Sequence, residues 1–137
     1  MRIHPFFDNR ICVDRLLKEA SEHNDELIVA FDFDNTIFDY HNTGDDYSAV
    51  IKLLQRCSSC GFIMILFTAN EDPQRFEFQK AFCKHYGIRV DYINESPVMP
   101  ETKKPYYNIL LDDRAGLYES YCVLNEVVNC IESKHYE

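Results

Sequence analysis

The chain has 137 residues, enough for one domain. Hydrophobic residues make up 46% of it and aromatic residues 14%, which indicates a folded globular protein and excludes a disordered one. The formal net charge of -9 disfavours a nucleic-acid-binding protein, because affinity for a phosphate backbone comes from clustered lysine and arginine.

Neither end of the sequence nor its interior predicts a targeting or membrane segment. The first ten residues lack the apolar core of a signal peptide, and the longest apolar stretch, 62–67, is too short to cross a membrane. We therefore expect a cytoplasmic protein whose six cysteines are reduced thiols. Cys57 and Cys60 form a C-x-x-C pair, but the chain offers no well-spaced second ligand pair for zinc, and the pair closes a predicted helix instead of opening one.

The first half of the chain alternates between helical and strand periods. Apolar residues at helical spacing predict amphipathic helices over 13–20 and 47–54, the second with Asp45 or Asp46 as N-cap. Between them, 27–33 is a continuous apolar run that ends in acid, which is typical of a strand buried on both faces.

The second half continues the alternation. A second buried strand is predicted over 62–68, followed by a helix that Asp72 can cap and that Gly87 can end. Two more strands, 88–93 and 107–111, and a closing helix from 117 to 128 complete the pattern. Strands that alternate with helices predict an α/β fold with a mostly parallel sheet, in which ligands bind at the carboxyl ends of the strands.

Chemically active side chains follow three of the predicted strands. The first strand runs into Asp32 and Asp34, the last into Asp112 and Asp113, and the second ends at Thr68. In a parallel sheet these groups gather at one edge, where clustered carboxylates repel one another unless a hard cation such as Mg²⁺ neutralises them. With Asn70 and the lysine pair 103–104 nearby, the edge is predicted to bind metal and phosphate together.

The ordered set of motifs resembles the haloacid dehalogenase superfamily. The segment 32–36 (D-F-D-N-T) resembles motif I, D-x-D-x-T, and Thr68 resembles motif II. Lys104 resembles motif III, and the pair 112–113 resembles the acidic motif IV. The segment that follows Lys104 is similar to capsule-biosynthesis and phage-type members.

This resemblance implies a single domain over 1–137, a Rossmann-like three-layer sandwich with no cap domain. It implies a Mg²⁺-dependent phosphohydrolase that acts on a phosphate monoester through an aspartyl-phosphate. Asp32 is then the nucleophile and a metal ligand. Asp34 protonates the leaving oxygen and afterwards activates water, while its backbone carbonyl contacts the metal.

The remaining site residues take their roles from the same resemblance. Thr68 binds the phosphoryl group, and Lys104 neutralises its charge, although Lys103 competes for that role; Asn70, which follows Thr68 closely, is predicted to bind the substrate. Asp112 binds Mg²⁺ directly, and Asp113 reaches it directly or through water. Arg114 takes no role from the resemblance, and we expect it either to contact the substrate or to form a salt bridge.

The sequence leaves more than one alternative for the substrate and for the segment that covers the site. The helix and strand between successive motifs leave no room for a cap, so only the loops 39–46 and 94–106 can cover the site. Either the substrate is large, or a neighbouring subunit of a homo-oligomer supplies the lid. A sugar phosphate, a nucleotide and a larger phosphorylated molecule all fit, whereas nucleic acid is disfavoured and no membrane contact is expected.

Three rival interpretations of the acidic motifs are a receiver domain, a second kind of enzyme and a protein without catalytic activity. A receiver domain also gathers acids and a lysine, but its paired acids follow the first strand, whereas here they follow the last. A phosphotransferase would use the same Asp32 chemistry but would normally need a cap to exclude water. A non-catalytic interaction protein could retain the fold and the metal site.

Overall fold

The structure is a computed structural model that describes residues 3–98 and 105–134. Its centre is a four-stranded sheet in which every neighbouring pair is parallel. In chain order the strands are β1 (Ile28–Asp32), β2 (Ile63–Phe67), β3 (Tyr92–Ile93) and β4 (Ile109–Leu111), and across the sheet they lie in the order β3-β2-β1-β4. The predicted α/β fold with a parallel sheet is confirmed.

Within residues 3–98 and 105–134, four helices accompany the sheet: α1 (Asn9–Ser21), α2 (Ser48–Ser59), α3 (Pro73–His85) and α4 (Leu117–Lys134). Each of the four corresponds to a predicted helix. A 3₁₀ turn over Pro5–Phe7, which the sequence did not predict, precedes α1. The helices flank the sheet as in the Rossmann-like three-layer sandwich that we expected.

Two hydrophobic clusters lie on the two faces of the sheet, because successive side chains of a strand point to opposite faces. Val29 and Phe31 of β1 belong to the larger cluster, together with the apolar faces of the helices. Ile28 and Ala30 point the other way and form a smaller cluster with Ile65, against which Tyr92 and Tyr107 pack. Burial on both faces explains why β1 reads as a continuous apolar run.

The helix boundaries follow the predicted signals at α3 but not at α2. Asp72 accepts a hydrogen bond from the Gln74 N–H at 3.0 Å, and Gly87 has the left-handed φ of +73° that suits the end of a helix. The prediction that Asp45 or Asp46 caps α2 is wrong. Tyr47 occupies the N-cap position without a side-chain bond, although the Asp46 carboxylate accepts from the Ser48 N–H at 2.8 Å.

The third and fourth strands are shorter than predicted, because side chains replace part of their hydrogen-bonded ladder. The Asp91 carboxylate accepts from the Met64 N–H, which leaves only Tyr92–Ile93 paired in β3. At the start of β4, the side-chain oxygen of Asn108 accepts from the Ile28 N–H at 2.7 Å. The predicted strands 88–93 and 107–111 therefore contribute only their ends to the sheet.

All six cysteines are free thiols, as expected. Burial raises the pKa of the Cys57 thiol, and burial also raises the pKa of the Cys60 thiol. Because the thiolate is the reactive form, this C-x-x-C pair is poorly suited to redox chemistry. Among the helices of the described residues, none has the length and apolar character needed to cross a membrane.

Candidate functional site

Three carboxylates meet at the carboxyl ends of the two adjacent strands β1 and β4. The register aligns Phe31 with Leu111, so the next residues along, Asp32 and Asp112, stand side by side. Asp32, Asp112 and Asp113 each offer an oxygen, and these oxygens lie within 4.8 Å of one another. The predicted gathering of these three acids at one sheet edge is therefore found in the structure.

Thr36 lies within hydrogen-bonding distance of two of these carboxylates. Its side chain is only 1% exposed, and its hydroxyl lies 3.2 Å from Asp32 Oδ2 and 3.4 Å from Asp113 Oδ1. In return, the Asp113 backbone N–H donates to the Thr36 hydroxyl oxygen at 3.1 Å. Sequence reasoning quoted Thr36 as part of a motif but gave it no role. Here it fixes the distance between Asp32 and Asp113.

The three carboxylates, considered by themselves, are electrostatically unfavourable for the ionised form of Asp32. Burial, together with the neighbouring carboxyls of Asp113 and Asp112, raises the pKa of the Asp32 carboxyl to about 7, against a smaller opposing effect of the Thr36 hydroxyl. A positive charge brought close would lower the pKa of this carboxyl and favour its ionised form. This part of the site is therefore suited to a cation.

Asp34, although two residues from Asp32, points to a different partner. Its Oδ1 accepts from Arg75 of α3 at 3.0 Å, in an ion pair whose side chains are both partly buried. The Arg75 guanidinium lies over the rings of Phe33, Phe38 and Phe78, at 4.8 to 5.7 Å from their centres. Asp34 thus lines the site but stands apart from the three-carboxylate cluster, and its charge is compensated by the protein itself.

Arg75 was not predicted as part of the site. It lies on a helix in which most positions are polar or aromatic, so its sequence position carries no signal of its contact with Asp34. Two phenylalanines of α3 lie in different surroundings. Phe82 packs against the core, whereas Phe78 is 42% exposed and supports the Arg75 side chain.

The end of β2 presents neutral polar groups. The Thr68 hydroxyl oxygen accepts from the backbone N–H of Asn70 at 3.3 Å and from the side-chain amide of Gln79 at 3.2 Å. Asn94 pairs with the Thr68 backbone in both directions, at 2.8 Å each. The Asn70 side chain, predicted to bind substrate, lines the site, while its Oδ1 accepts from the Asp72 N–H.

These groups surround one cavity of about 910 Å³. Several of its rim residues are exposed, including Asn70, Asp113 and Arg114. Among the described residues, Arg114 is the only positively charged residue that lines the cavity. The acidic residues that line it are Asp32, Asp34, Glu71, Asp112 and Asp113. The predicted lysines, Lys103 and Lys104, lie outside the described residues, and Pro105, which follows them, lines the cavity.

The loop 39–46, predicted as a flap, is folded on itself. The Asp39 carboxylate accepts from the backbone N–H groups of Thr43 and Gly44, and these bonds lower its pKa. His41 is exposed, and no residue of 39–46 lines the cavity. The cavity therefore has no flap from this loop.

Comparison with known proteins supports the fold alone. The chain is similar to a solved structure described as a conserved protein from Bacteroides thetaiotaomicron, with a TM-score of 0.59 and 19% identity. The match covers 76% of this chain and 90% of that one. No family model matches the sequence, and no curated protein matches it.

Proposed function

We propose that the protein is a Mg²⁺-dependent phosphohydrolase of the haloacid dehalogenase superfamily. The observation that carries this proposal is the meeting of Asp32, Asp112 and Asp113 at the carboxyl ends of neighbouring parallel strands. Asp34 and Thr68 line the same cavity. Ligand sites of parallel α/β sheets lie at this edge.

The donor set fits a hard cation. Asp32, Asp112 and Asp113 would hold Mg²⁺ through carboxylate oxygens, and their mutual repulsion supplies the reason for binding it. When bound, Mg²⁺ would neutralise charge on the phosphate and on the attacking carboxylate. All three ligands are carboxylates, and none is a thiol or an imidazole. The site therefore fits cations that prefer oxygen ligands as a class.

The remaining groups divide the reaction between them. An oxygen of Asp32 attacks phosphorus, the bond to the leaving oxygen breaks, and Asp34 gives that oxygen a proton, a step that requires Asp34 to be protonated and not ion-paired with Arg75. Water then attacks the aspartyl-phosphate, Asp34 takes up the proton of the water, and inorganic phosphate leaves. Lys104, by resemblance, and Thr68 neutralise and orient the phosphoryl oxygens, since phosphoryl transfer depends mainly on positioning and charge.

The exposed rim of the cavity indicates what size of substrate can reach the site. Because no residue of 39–46 lines the cavity and its rim residues are exposed, the site is suited to the phosphorylated end of a sugar, a nucleotide or a larger molecule. Exposure to water also favours hydrolysis over phosphotransfer, which requires water to be excluded.

Turnover of p-nitrophenyl phosphate tests the proposal. We expect release of p-nitrophenol that requires Mg²⁺, stops with EDTA and falls to background in Asp32→Asn. Asp14→Asn is the matched control, because it makes the same chemical change at an exposed position of α1. A protein that binds Mg²⁺ but turns over neither this ester nor any of a panel of phosphate monoesters would instead be a non-catalytic relative.

A further inference from the structure

Gln79 is a polar side chain where the fold would ordinarily place an apolar one. It lies in the middle of α3, one turn before the buried Cys83, and it is fully buried. Burying an amide without full hydrogen bonding is costly, so a buried glutamine at a core position needs a reason. Together with Thr36, it is one of two polar residues classed with the buried core among the described residues.

The contacts of Gln79 lead to the site. Its Nε2 donates to the Thr68 hydroxyl oxygen at 3.2 Å, whereas its Oε1 has no partner among the described residues. Among the described residues, the Gln79 amide therefore makes one hydrogen bond, to Thr68, and its carbonyl oxygen is left unpaired. For the folded state alone, an apolar side chain of similar volume would serve at least as well.

The backbone of Thr68 is held independently. Asn94 accepts from the Thr68 N–H and donates to the Thr68 carbonyl, both at 2.8 Å, so its side chain acts as a strand partner. Asn94 adopts a left-handed φ of 56°, which asparagine tolerates better than most residues. With the peptide units fixed, the direction of the Thr68 hydroxyl depends on its own hydrogen bonds.

The hydrogen bonds of that hydroxyl determine where its proton points. A threonine hydroxyl accepts two hydrogen bonds and donates one. Both acceptor positions of Thr68 are used, one by the Asn70 N–H and the other by Gln79. Its proton is then left to donate to a group in the cavity that Thr68 lines.

We propose that Gln79 is a positioning residue that turns the Thr68 proton into the cavity, toward an anionic oxygen of a phosphoryl group. This role rests on the proposed function, in which the acceptor is the phosphoryl oxygen of the substrate. Gln79 itself touches neither substrate nor metal and acts through Thr68.

Gln79→Met tests this role, because methionine fills a similar volume and removes both amide groups. We expect kcat/KM for p-nitrophenyl phosphate to fall about five- to tenfold, the effect of one hydrogen bond. The melting temperature should stay the same or rise, because the unpaired carbonyl is also removed. Gln74→Met, the same change at an exposed position of α3, should alter neither quantity.

A double-mutant cycle separates positioning from packing. In a Thr68→Val background, Gln79→Met should cause no further loss of kcat/KM, because the hydroxyl on which it acts is gone. A further loss of similar size there would overturn the proposal. So would an unchanged or raised kcat/KM in the single variant, which is expected if the amide is turned round and its carbonyl accepts the Thr68 proton.

Binding of inorganic phosphate keeps this inference distinct from the proposed function. If the wild-type protein turns over no ester, the hydrolase proposal fails, and calorimetric titration with phosphate in the presence of Mg²⁺ decides the role of Gln79. A five- to tenfold weaker affinity in Gln79→Met, absent in the Thr68→Val background, supports positioning. Equal affinity in the wild type and Gln79→Met, or no phosphate binding by the wild type, overturns it.

Discussion

The two halves of the cavity are built on opposite principles. At the ends of β1 and β4 three carboxylates crowd together, and the pKa of Asp32 rises to about 7 because of burial and its acidic neighbours. At the end of β2, Thr68 is held by neutral hydrogen bonds from Asn94, Gln79 and Asn70. The acidic half needs a cation to become favourable, whereas the neutral half is already organised.

The difference indicates a division of labour. When a cation binds between carboxylates that repel one another, the relief of that repulsion adds to the free energy of binding. The acidic half therefore favours metal uptake. The neutral half gains little from a cation but offers a fixed donor to an anion, which costs no reorganisation when the anion arrives.

The largest expected effect separates Asp34 from the carboxylates of the three-residue cluster Asp32, Asp112 and Asp113. Asp112→Asn should lower Mg²⁺ affinity by at least about tenfold, because one of three ligand charges is lost. It should also abolish turnover. Asp34→Asn should abolish turnover while Mg²⁺ affinity stays within about twofold, because its carboxylate pairs with Arg75 outside the cluster.

Calorimetric titration of both variants with Mg²⁺ makes this measurement. The Asp112 carboxylate accepts from the backbone N–H of Arg114 at 2.9 Å. The amide oxygen that Asp112→Asn introduces can accept the same hydrogen bond, so the loop should keep its conformation. Equal metal affinity in the two variants would mean that the acidic half is not the metal site.

The next effect concerns stability and pH without metal. A folded-state pKa near 7 means that the folded protein holds a proton on Asp32 that the unfolded chain has released, between roughly pH 4 and 7. This contribution to stability is complete below about pH 4 and is lost as pH rises through 7. At pH 8 in EDTA, Asp32→Asn should therefore raise the melting temperature, by roughly 2 to 5 °C since the carboxyl is half exposed.

Differential scanning fluorimetry across this pH range checks the expectation. Below about pH 4 the gain from Asp32→Asn should disappear, because the wild-type carboxyl is then protonated in both the folded and the unfolded state. Added Mg²⁺ should stabilise the wild type and have much less effect on the variant. A variant that is less stable than the wild type at pH 8 in EDTA would contradict an unfavourable acidic half.

The smallest effect on turnover tests the neutral half. Asn94→Gly keeps the left-handed backbone available while removing both side-chain bonds to Thr68. We expect a loss of about 1 to 3 kcal/mol in the free energy of unfolding and a few-fold fall in kcat/KM. Asn42→Gly, at a φ of 53° in the exposed loop, is the matched control for the entropy of glycine. Chemical denaturation measures the free energy of unfolding of both variants. Equal losses in the two would mean that the effect comes from the glycine backbone and not from the lost side-chain bonds.

Sequence patterns predicted the acidic half better than the neutral half. An apolar run that ends in Asp32, and another that ends in Asp112, mark adjacent strand ends because a parallel sheet has one carboxyl edge. The contacts that hold Thr68 come from residues far along the chain. Gln79 could have been noticed as a polar residue on the core face of α3, but its partner Thr68, which follows β2, is known only from the tertiary structure.

Other features had no local signal. The ion pair of Arg75 with Asp34 and the strand-like pairing of Asn94 with Thr68 depend on tertiary structure. The strands β3 and β4 were predicted too long, because apolar composition does not reveal where the Asp91 and Asn108 side chains replace backbone partners. The assignment of the phosphate-binding lysine to Lys104 stays a prediction.

The most direct measurement of the central claim is chemical trapping of the phosphorylated carboxylate. The wild-type protein, mixed with p-nitrophenyl phosphate and Mg²⁺ and quenched in acid, is reduced with borohydride, which converts an aspartyl-phosphate to homoserine. Peptide mass spectrometry should then find homoserine at position 32, and none should form in EDTA. Mg²⁺-dependent turnover with no homoserine at position 32, or with homoserine at another aspartate, would contradict the assignment of Asp32 as the nucleophile.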